Sequence, residues 1–428
     1  MDYGYSQKVV SAEEAVLKIP SGSRIALGHA AAEPRYLVNK LVELKENFDD
    51  IQLFNVVELT DCPYTQKDAN PHLRGNYFFL SPGNRRAVRE GYGDYTPVYF
   101  HQVPDVCLNY EGVDVALVQV TPPDEHGWCS LGPSADFTAP CAKAASLTIA
   151  QVNRNLPRTF GDTNIHVRDI TYFVEHDEPM IEYISATPDE TAIKISGNIA
   201  ELVKDGDVLQ LGIGVIPEAM ISYLKDKKDL GLHSEMIADG VVDLIDSGVI
   251  NNERKQIDRG KSVTTFLMGS KKIYDFANDN PSILIKSVDY TNDPRIICQN
   301  DNMVSINSCV EVDFVGQVAS ETVNGIQYSG TGGQVDFVRG ANMSKGGRAI
   351  IAMPSTAAKG TVSRIMPFLS NGNVVTTNRN DATYIVTEYG IAYLKAKTMR
   401  ERAKALIGIA HPDFRADLLK EFDKYFNR

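Results

Sequence analysis

Apolar and β-branched residues gather into short runs along this chain. In the first part they are IALGHA, IQLFNVVEL, VDVALVQV and SLTIAQV, and in the second DVLQLGIG, LHSEMI, RAIIAMP, NVVTT and DATYIVTEYG. Runs of this length, each followed by turn residues or an amphipathic stretch, predict strands that alternate with helices. That alternation is the signature of an α/β fold with mainly parallel sheets.

An internal echo divides the pattern in two. AVLKIPSGSRIALGHAAAEPRYLVNKL lines up, 184 positions on, with IAELVKDGDVLQLGIGVIPEAMISYL. Gly22 then matches Gly206, Leu27 matches Leu211 and Gly28 matches Gly212. Pro34, and Pro217 one place out of register, each open a helix, where the missing N–H costs nothing. The echo predicts two related open α/β domains, residues 1–187 and 188–428, divided within the polar stretch SATPDETAIK. Chance similarity between two α/β openings is the alternative. Ligands on open α/β sheets bind outside the carboxyl ends of the strands, so the active site is expected in the groove between the halves.

Composition narrows the classes. At 428 residues, with 43% hydrophobic and 23% charged side chains, the chain can bury a core in each domain. Lys and Arg total 43 against 55 acidic residues, and a net charge of -12 argues against a nucleic-acid partner. No apolar run reaches the roughly 18–20 residues of a membrane span. The opening MDYGYSQKVV lacks a basic-then-apolar signal, and the expectation is a cytoplasmic protein. The six cysteines show no CxxC pair and read as reduced thiols, with Cys129 in HGWCSLG the one alternative nucleophile. His101, His126, His166 and His176 lack metal-ligand spacing, so no metal is expected.

Four segments carry candidate chemistry. Gln210-Leu211-Gly212-Ile213-Gly214 ends a predicted strand, and small residues before a helix start let backbone N–H groups meet negative oxygen, as in an oxyanion hole. Pro217 stands where a dinucleotide fingerprint needs its third glycine, and an empty tight turn is an equal reading. Glu235 falls in the predicted strand Leu232 to Ile237, with a helix starting near Asp239. A carboxylate there must be paired, hydrogen-bonded or functional, and a satisfied core carboxylate explains it as well as a nucleophile does. Aligned on the echo, Val56 stands opposite Glu235. Ser329–Gly333 packs three glycines into four positions, bringing bare backbone to a ligand or simply making a turn. Lys359, after the strand of RAIIAMP, can meet a phosphate or merely face solvent.

QLGIG, HSEM, SGTGGQVDFVRGA, AIIAMPS and VTEYGIAYLK with IAHPDF, in that order, resemble the acetyl-CoA hydrolase/transferase branch of the family I CoA-transferases. AEP, PGNRRAVREG, PVYFHQVP, PPDEHG and FGDTNIHV extend the resemblance over nearly the whole chain. It implies that Glu235 forms a glutamyl-CoA thioester. It also implies CoA contacts at Gln210, Leu211, Gly212, Ile213, Gly214, Val310, Gly333 and Lys359, with His29 and Gln210 positioning the acyl group. CoA would be a substrate, with no permanently bound cofactor. The expected reaction moves CoA between an acyl-CoA and a short-chain acid, 4-hydroxybutyrate or butyrate with acetate, in short-chain fatty acid fermentation. A homodimer or larger homo-oligomer is expected. The competing readings are an acyl-CoA hydrolase and, from another class, a CoA-ester sensing module without turnover.

Overall fold

Val115–Val120 and Leu147–Val152 are buried at nearly every position, as strands covered on both faces must be. In the computed structural model, which describes residues 2–426, they lie inside a seven-stranded sheet. Its strands are β1 (Arg24–Leu27), β2 (Ile51–Asn55), β3 (Leu73–Tyr77), β4 (Asp94–Tyr95), β5 (Val115–Val120), β6 (Leu147–Val152) and β7 (Tyr172–Glu175). They run in the order β7-β6-β5-β1-β2-β3-β4, every neighbouring pair parallel. Helix α1 (Arg35–Glu43), which follows Pro34, lays Leu37, Val38 and Leu41 on the core shared by Ile25, Leu27 and Leu53.

The second unit opens with α2 (Glu190–Leu202), whose start is fixed by the Asp189 carboxylate accepting from the Ala192 amide at 2.7 Å. Next come β8 (Val208–Gln210), α3 (Val215–Leu224) and β9 (Gly231–Leu232). The chain then makes β10 (Met236–Ile237) and α4 (Asp239–Asp246), and β10 pairs in parallel with β11 (Phe266–Leu267). Further along, the second unit adds β12 (Met303–Ser308), α5 (Gln334–Met343), β13 (Arg348–Ala352), β14 (Tyr384–Thr387) and β15 (Gly390–Tyr393). The second sheet has the order β9-β8-β12-β13-β14-β15 and is parallel except for the last hairpin. Phe337, Val338 and Ala341 of α5 pack into a core with Val208, Met303 and Ile351.

This is the expected mixed α/β architecture with mostly parallel sheets. The chain leaves the first unit after Ile184 and returns to it twice, for 236–239 and 263–291, so the two units are not two uninterrupted lengths of sequence. The echo has a structural counterpart. Gly22 and Gly206 take left-handed φ of 79° and 81° immediately before β1 and β8. Arg24 pairs with Gln52, and Val208, its counterpart 184 positions on, pairs with Gly231. Counting forward from those pairs puts Val56 opposite Glu235. Among the described residues no helix is long and apolar enough to cross a membrane.

The first unit buries two carboxyls near each other. Glu58 accepts from Asn84 Nδ2 at 2.6 Å, Tyr64 OH at 3.3 Å and the Ser81 hydroxyl, and Glu33 accepts from Thr60 Oγ1 at 2.9 Å. Burial pushes each up to about 7, against the pull of those hydrogen bonds. Folded carboxyls therefore keep protons that unfolded ones, near 4.5, have already lost. The stability this contributes is complete below about 4.5 and is lost as pH rises through about 7. The urea midpoint should accordingly fall between those pH values, corresponding to at most about 3–4 kcal/mol per carboxyl. Glu58→Gln should flatten the profile, and an undiminished slope in that variant would assign the pH dependence to other groups.

Candidate active site

Strand β8 is fastened at its carboxyl end by its own last side chain. Gln210 Oε1 accepts from the Ile306 amide and from Asn307 Nδ2, both at 3.0 Å, and its Nε2 donates to the Ile306 carbonyl at 3.3 Å. The chain then reaches Gly214 with φ 108° and ψ -175°, a region open essentially to glycine alone, before α3 begins at Val215. A Cβ at Gly212 or Gly214 would meet nothing within 4 Å among the described residues. The turn thus presents bare backbone to open space.

On the neighbouring strand, the His233 amide donates to the Leu209 carbonyl at 3.0 Å. There the backbone ladder stops. Ser234 Oγ accepts from the Leu211 amide at 3.2 Å and donates to the Leu211 carbonyl at 2.9 Å, replacing the next main-chain pair. The single strand expected from Leu232 to Ile237 is therefore two short ones, β9 and β10, and Glu235 stands at the break between them. The helix expected near Asp239 begins there.

Glu235 is half-buried, and Asn292 Nδ2 donates to its Oε2 at 2.8 Å. Asn292 is fully buried, and its Oδ1 has no hydrogen-bond partner among the described residues. Gly333 lies against both. A Cβ on Gly333 would overlap Glu235 Oε2 and Asn292 Nδ2 far inside van der Waals contact. Gly333 is also the N-cap of α5, a ten-residue helix, so the carboxylate rests where the helix dipole favours negative charge.

The other residues singled out in the sequence fall on the same side of the second sheet. Half-buried Val310 follows β12 and donates its amide to the Ala319 carbonyl at 2.8 Å. Exposed Lys359 sits in a short turn after β13 with φ 57°. Together with 210–214 after β8 and Glu235 after β9, they follow the carboxyl ends of four parallel strands, where open α/β sheets bind ligands.

His29 belongs to the first unit, just past β1. It is fully buried, with Nδ1 paired to the equally buried Asp136, and the ring meets Phe266 edge-on at 4.7 Å between centroids. Asp136 also accepts from the Thr138 amide at 2.7 Å and from Ser134 Oγ at 3.0 Å. Burial alone would raise this carboxyl. The facing imidazole and the Thr138 bonds outweigh burial and hold it below the ordinary range. Asp136 thus accepts the Nδ1 proton, and Nε2 is left without a hydrogen-bond partner among the described residues.

Asn292 and Asp136 escaped the sequence reading. Asn292 stands in YTNDP, which reads as an ordinary turn, and 107 residues separate His29 from Asp136. Cys129 is fully buried and its thiol is pushed up to about 12 by burial, which removes it as a thiolate nucleophile. Among the described residues no group of three or more His, Cys, Asp or Glu side chains is arranged to hold a metal.

Two family models divide the chain: the acetyl-CoA hydrolase/transferase N-terminal domain matches residues 2–185 and the corresponding C-terminal domain matches residues 269–422. The chain belongs to the acetyl-CoA hydrolase/transferase family. It is 53% identical to the 4-hydroxybutyrate coenzyme A transferase of Clostridium kluyveri, over 99% of both chains. It is 38% identical to the butyryl-CoA:acetate CoA-transferase of Anaerostipes caccae, over 98% of this chain and 97% of the relative. Among solved structures, RipA from Yersinia pestis superposes with a TM-score of 0.95 at 41% identity, covering 99% of each chain.

Gly333→Ala tests the packing of the carboxylate. The backbone at 333, φ -89° and ψ 2°, accepts alanine without strain, so only the new methyl group is at issue. It should displace Glu235 and lower kcat by about 10²-fold while leaving the thermal midpoint nearly unchanged. Wild-type turnover in this variant would show that the carboxylate has room to work elsewhere.

Proposed function

We propose that this chain is a CoA-transferase that moves CoA between an acyl-CoA and a short-chain carboxylic acid through a thioester on Glu235. The observation that carries the reading is the setting of that carboxylate: held by Asn292, pressed against the bare backbone of Gly333, and reached from a strand break beside the glycine turn 210–214. The family membership and the names of the two relatives support the same reading.

In the proposed reaction Glu235 attacks the acyl carbonyl of the acyl-CoA. The C–S bond breaks, CoA leaves as thiolate, and an acyl-glutamyl anhydride remains. The thiolate then attacks the glutamyl carbonyl and expels the first acid as its carboxylate, leaving glutamyl-CoA. An acceptor carboxylate runs the two steps in reverse and departs as the new acyl-CoA, so neither metal nor redox group is required. Backbone N–H groups of the 212–214 turn and Asn292 Nδ2 are the donors proposed for the developing oxyanions. CoA contacts are assigned to residues 210–214, Val310, Gly333 and Lys359. His29, with its fixed tautomer, and Gln210 are assigned to the acyl end, although Gln210 already spends its amide on Ile306 and Asn307. It would therefore act by holding the turn.

The acid pair favoured is 4-hydroxybutyrate or butyrate with acetate, in a cytoplasmic, fermentative setting and as a homodimer or larger homo-oligomer. The division into residues 1–187 and 188–428 is offered as the two family domains.

Intact-protein mass spectrometry after mixing with butyryl-CoA tests the mechanism. The wild type should gain one CoA less one water, mapped by borohydride reduction to Glu235, and Glu235→Ala should gain nothing and transfer at background. Steady-state transfer by pure Glu235→Ala would remove the thioester from the mechanism. Lys359→Ala should raise KM for the acyl-CoA about tenfold with little change in kcat, and an unaltered KM would withdraw the phosphate contact.

A further inference from the structure

Strand β9 is the edge of the second sheet, with β8 on one side and a loop on the other. An edge strand leaves alternate N–H and C=O groups without a ladder. The loop that follows α4 supplies them. Ile250 bridges Leu230 in parallel, and the amides of Asn251 and Asn252 both donate to the Leu230 carbonyl at 3.1 Å. At Asn252, φ 60°, the loop turns away and its side chains carry the pairing on. Asn252 Oδ1 accepts from the Leu232 amide at 2.8 Å, and Lys255 Nζ donates to the Leu232 carbonyl at 2.9 Å.

Both side chains are anchored a second time within the same loop. Lys255 Nζ donates to the Lys261 carbonyl at 2.7 Å, and Asn252 Nδ2 donates to Ser262 Oγ at 3.0 Å. Lys255 is only 3% exposed, and its stem crosses Gly231 so closely that a Cβ there would come within 2.8 Å of Cγ. A lysine almost wholly removed from water, its amino group directed at two main-chain carbonyls, is placed to hold backbone.

We propose that Lys255, assisted by Asn252, is a positioning residue for Glu235. Leu232 precedes the carboxylate by three residues. On the β8 side, His233 and Ser234 are already tied to Leu209 and Leu211. With Leu232 held from the outer side and His233 and Ser234 from the β8 side, every residue from 232 to the one before the proposed nucleophile is bonded. Glu235 then meets Asn292 from a fixed origin. The inference rests on the reading of Glu235 as nucleophile, and it adds the loop along the outer edge of β9 to the machinery that sets the reaction geometry.

Lys255→Met keeps the length of the stem and removes the donor. The experiment is rapid-quench intact mass of the CoA adduct on mixing with butyryl-CoA, alongside steady-state kcat and KM. The rate constant of adduct formation and kcat should fall together by about 10²-fold, the loss expected for an ångström-scale misplacement. KM for butyryl-CoA should stay within about twofold. Mere loss of stability would lower the amplitude of labelling and leave its rate constant alone. Asn252→Gly, which keeps the left-handed backbone, should show the same split more weakly and decides the matter if Lys255→Met does not fold. Labelling at the wild-type rate in the folded variants, or a change confined to KM, overturns the clamp alone. A wild-type protein that forms no adduct overturns the reading of Glu235, and the clamp with it.

Discussion

A carboxylate that is to attack a thioester has to be drawn partly out of water, kept negative and kept still, and these demands conflict. Burial penalises the charge, and any partner strong enough to cancel the penalty also quenches the nucleophile. In the role proposed for Glu235, the second unit meets them with directional contacts. Glu235 receives one amide N–H from Asn292 and lies on the first bare backbone of α5, where no side chain intrudes and the helix dipole favours an anion. Gly333, Asn292 and the interruption between β9 and β10 together set one carboxylate against one helix start.

Legibility in the sequence followed the range of the interaction. The alternation of strand and helix, the glycine turn at 210–214 and the oddity of a glutamate inside an apolar run are local, and a linear reading finds them. The break at Ser234 is not legible, because LHSEMI has the hydrophobic pattern of a continuous strand. Only the capture of the Leu211 backbone by the Ser234 hydroxyl ends the ladder. Asn292, Asp136 and Lys255 are joined to their partners by packing across 57, 107 and 23 residues respectively. No motif announces such pairs. The two returns of the chain to the first unit are likewise invisible, since 236–239 and 263–291 carry the same α/β pattern as their surroundings.

The echo between the halves gains meaning from strand register. In both sheets a short strand after a left-handed glycine has a parallel neighbour on each side, and the pairing equates Gln52 with Gly231. The position answering to Glu235 is then Val56, a buried aliphatic residue. The two strands thus share a register, while a carboxylate stands at that position in the second unit alone. The first unit has its own buried polar group, the His29–Asp136 pair, just past the strand that answers to β8.

The outer margin of β9 has a further consequence, one for the behaviour of many molecules in a crowded solution. A sheet ending in an open strand is a template on which another chain can add itself, and parallel sheets that form slowly are exposed to this while folding. Here Leu232 has both of its main-chain groups engaged by Asn252 and Lys255, and Leu230 is bridged by Ile250. A foreign strand approaching this margin finds side chains already in the places its own backbone would take, so the loop that braces the sheet also closes it to recruitment.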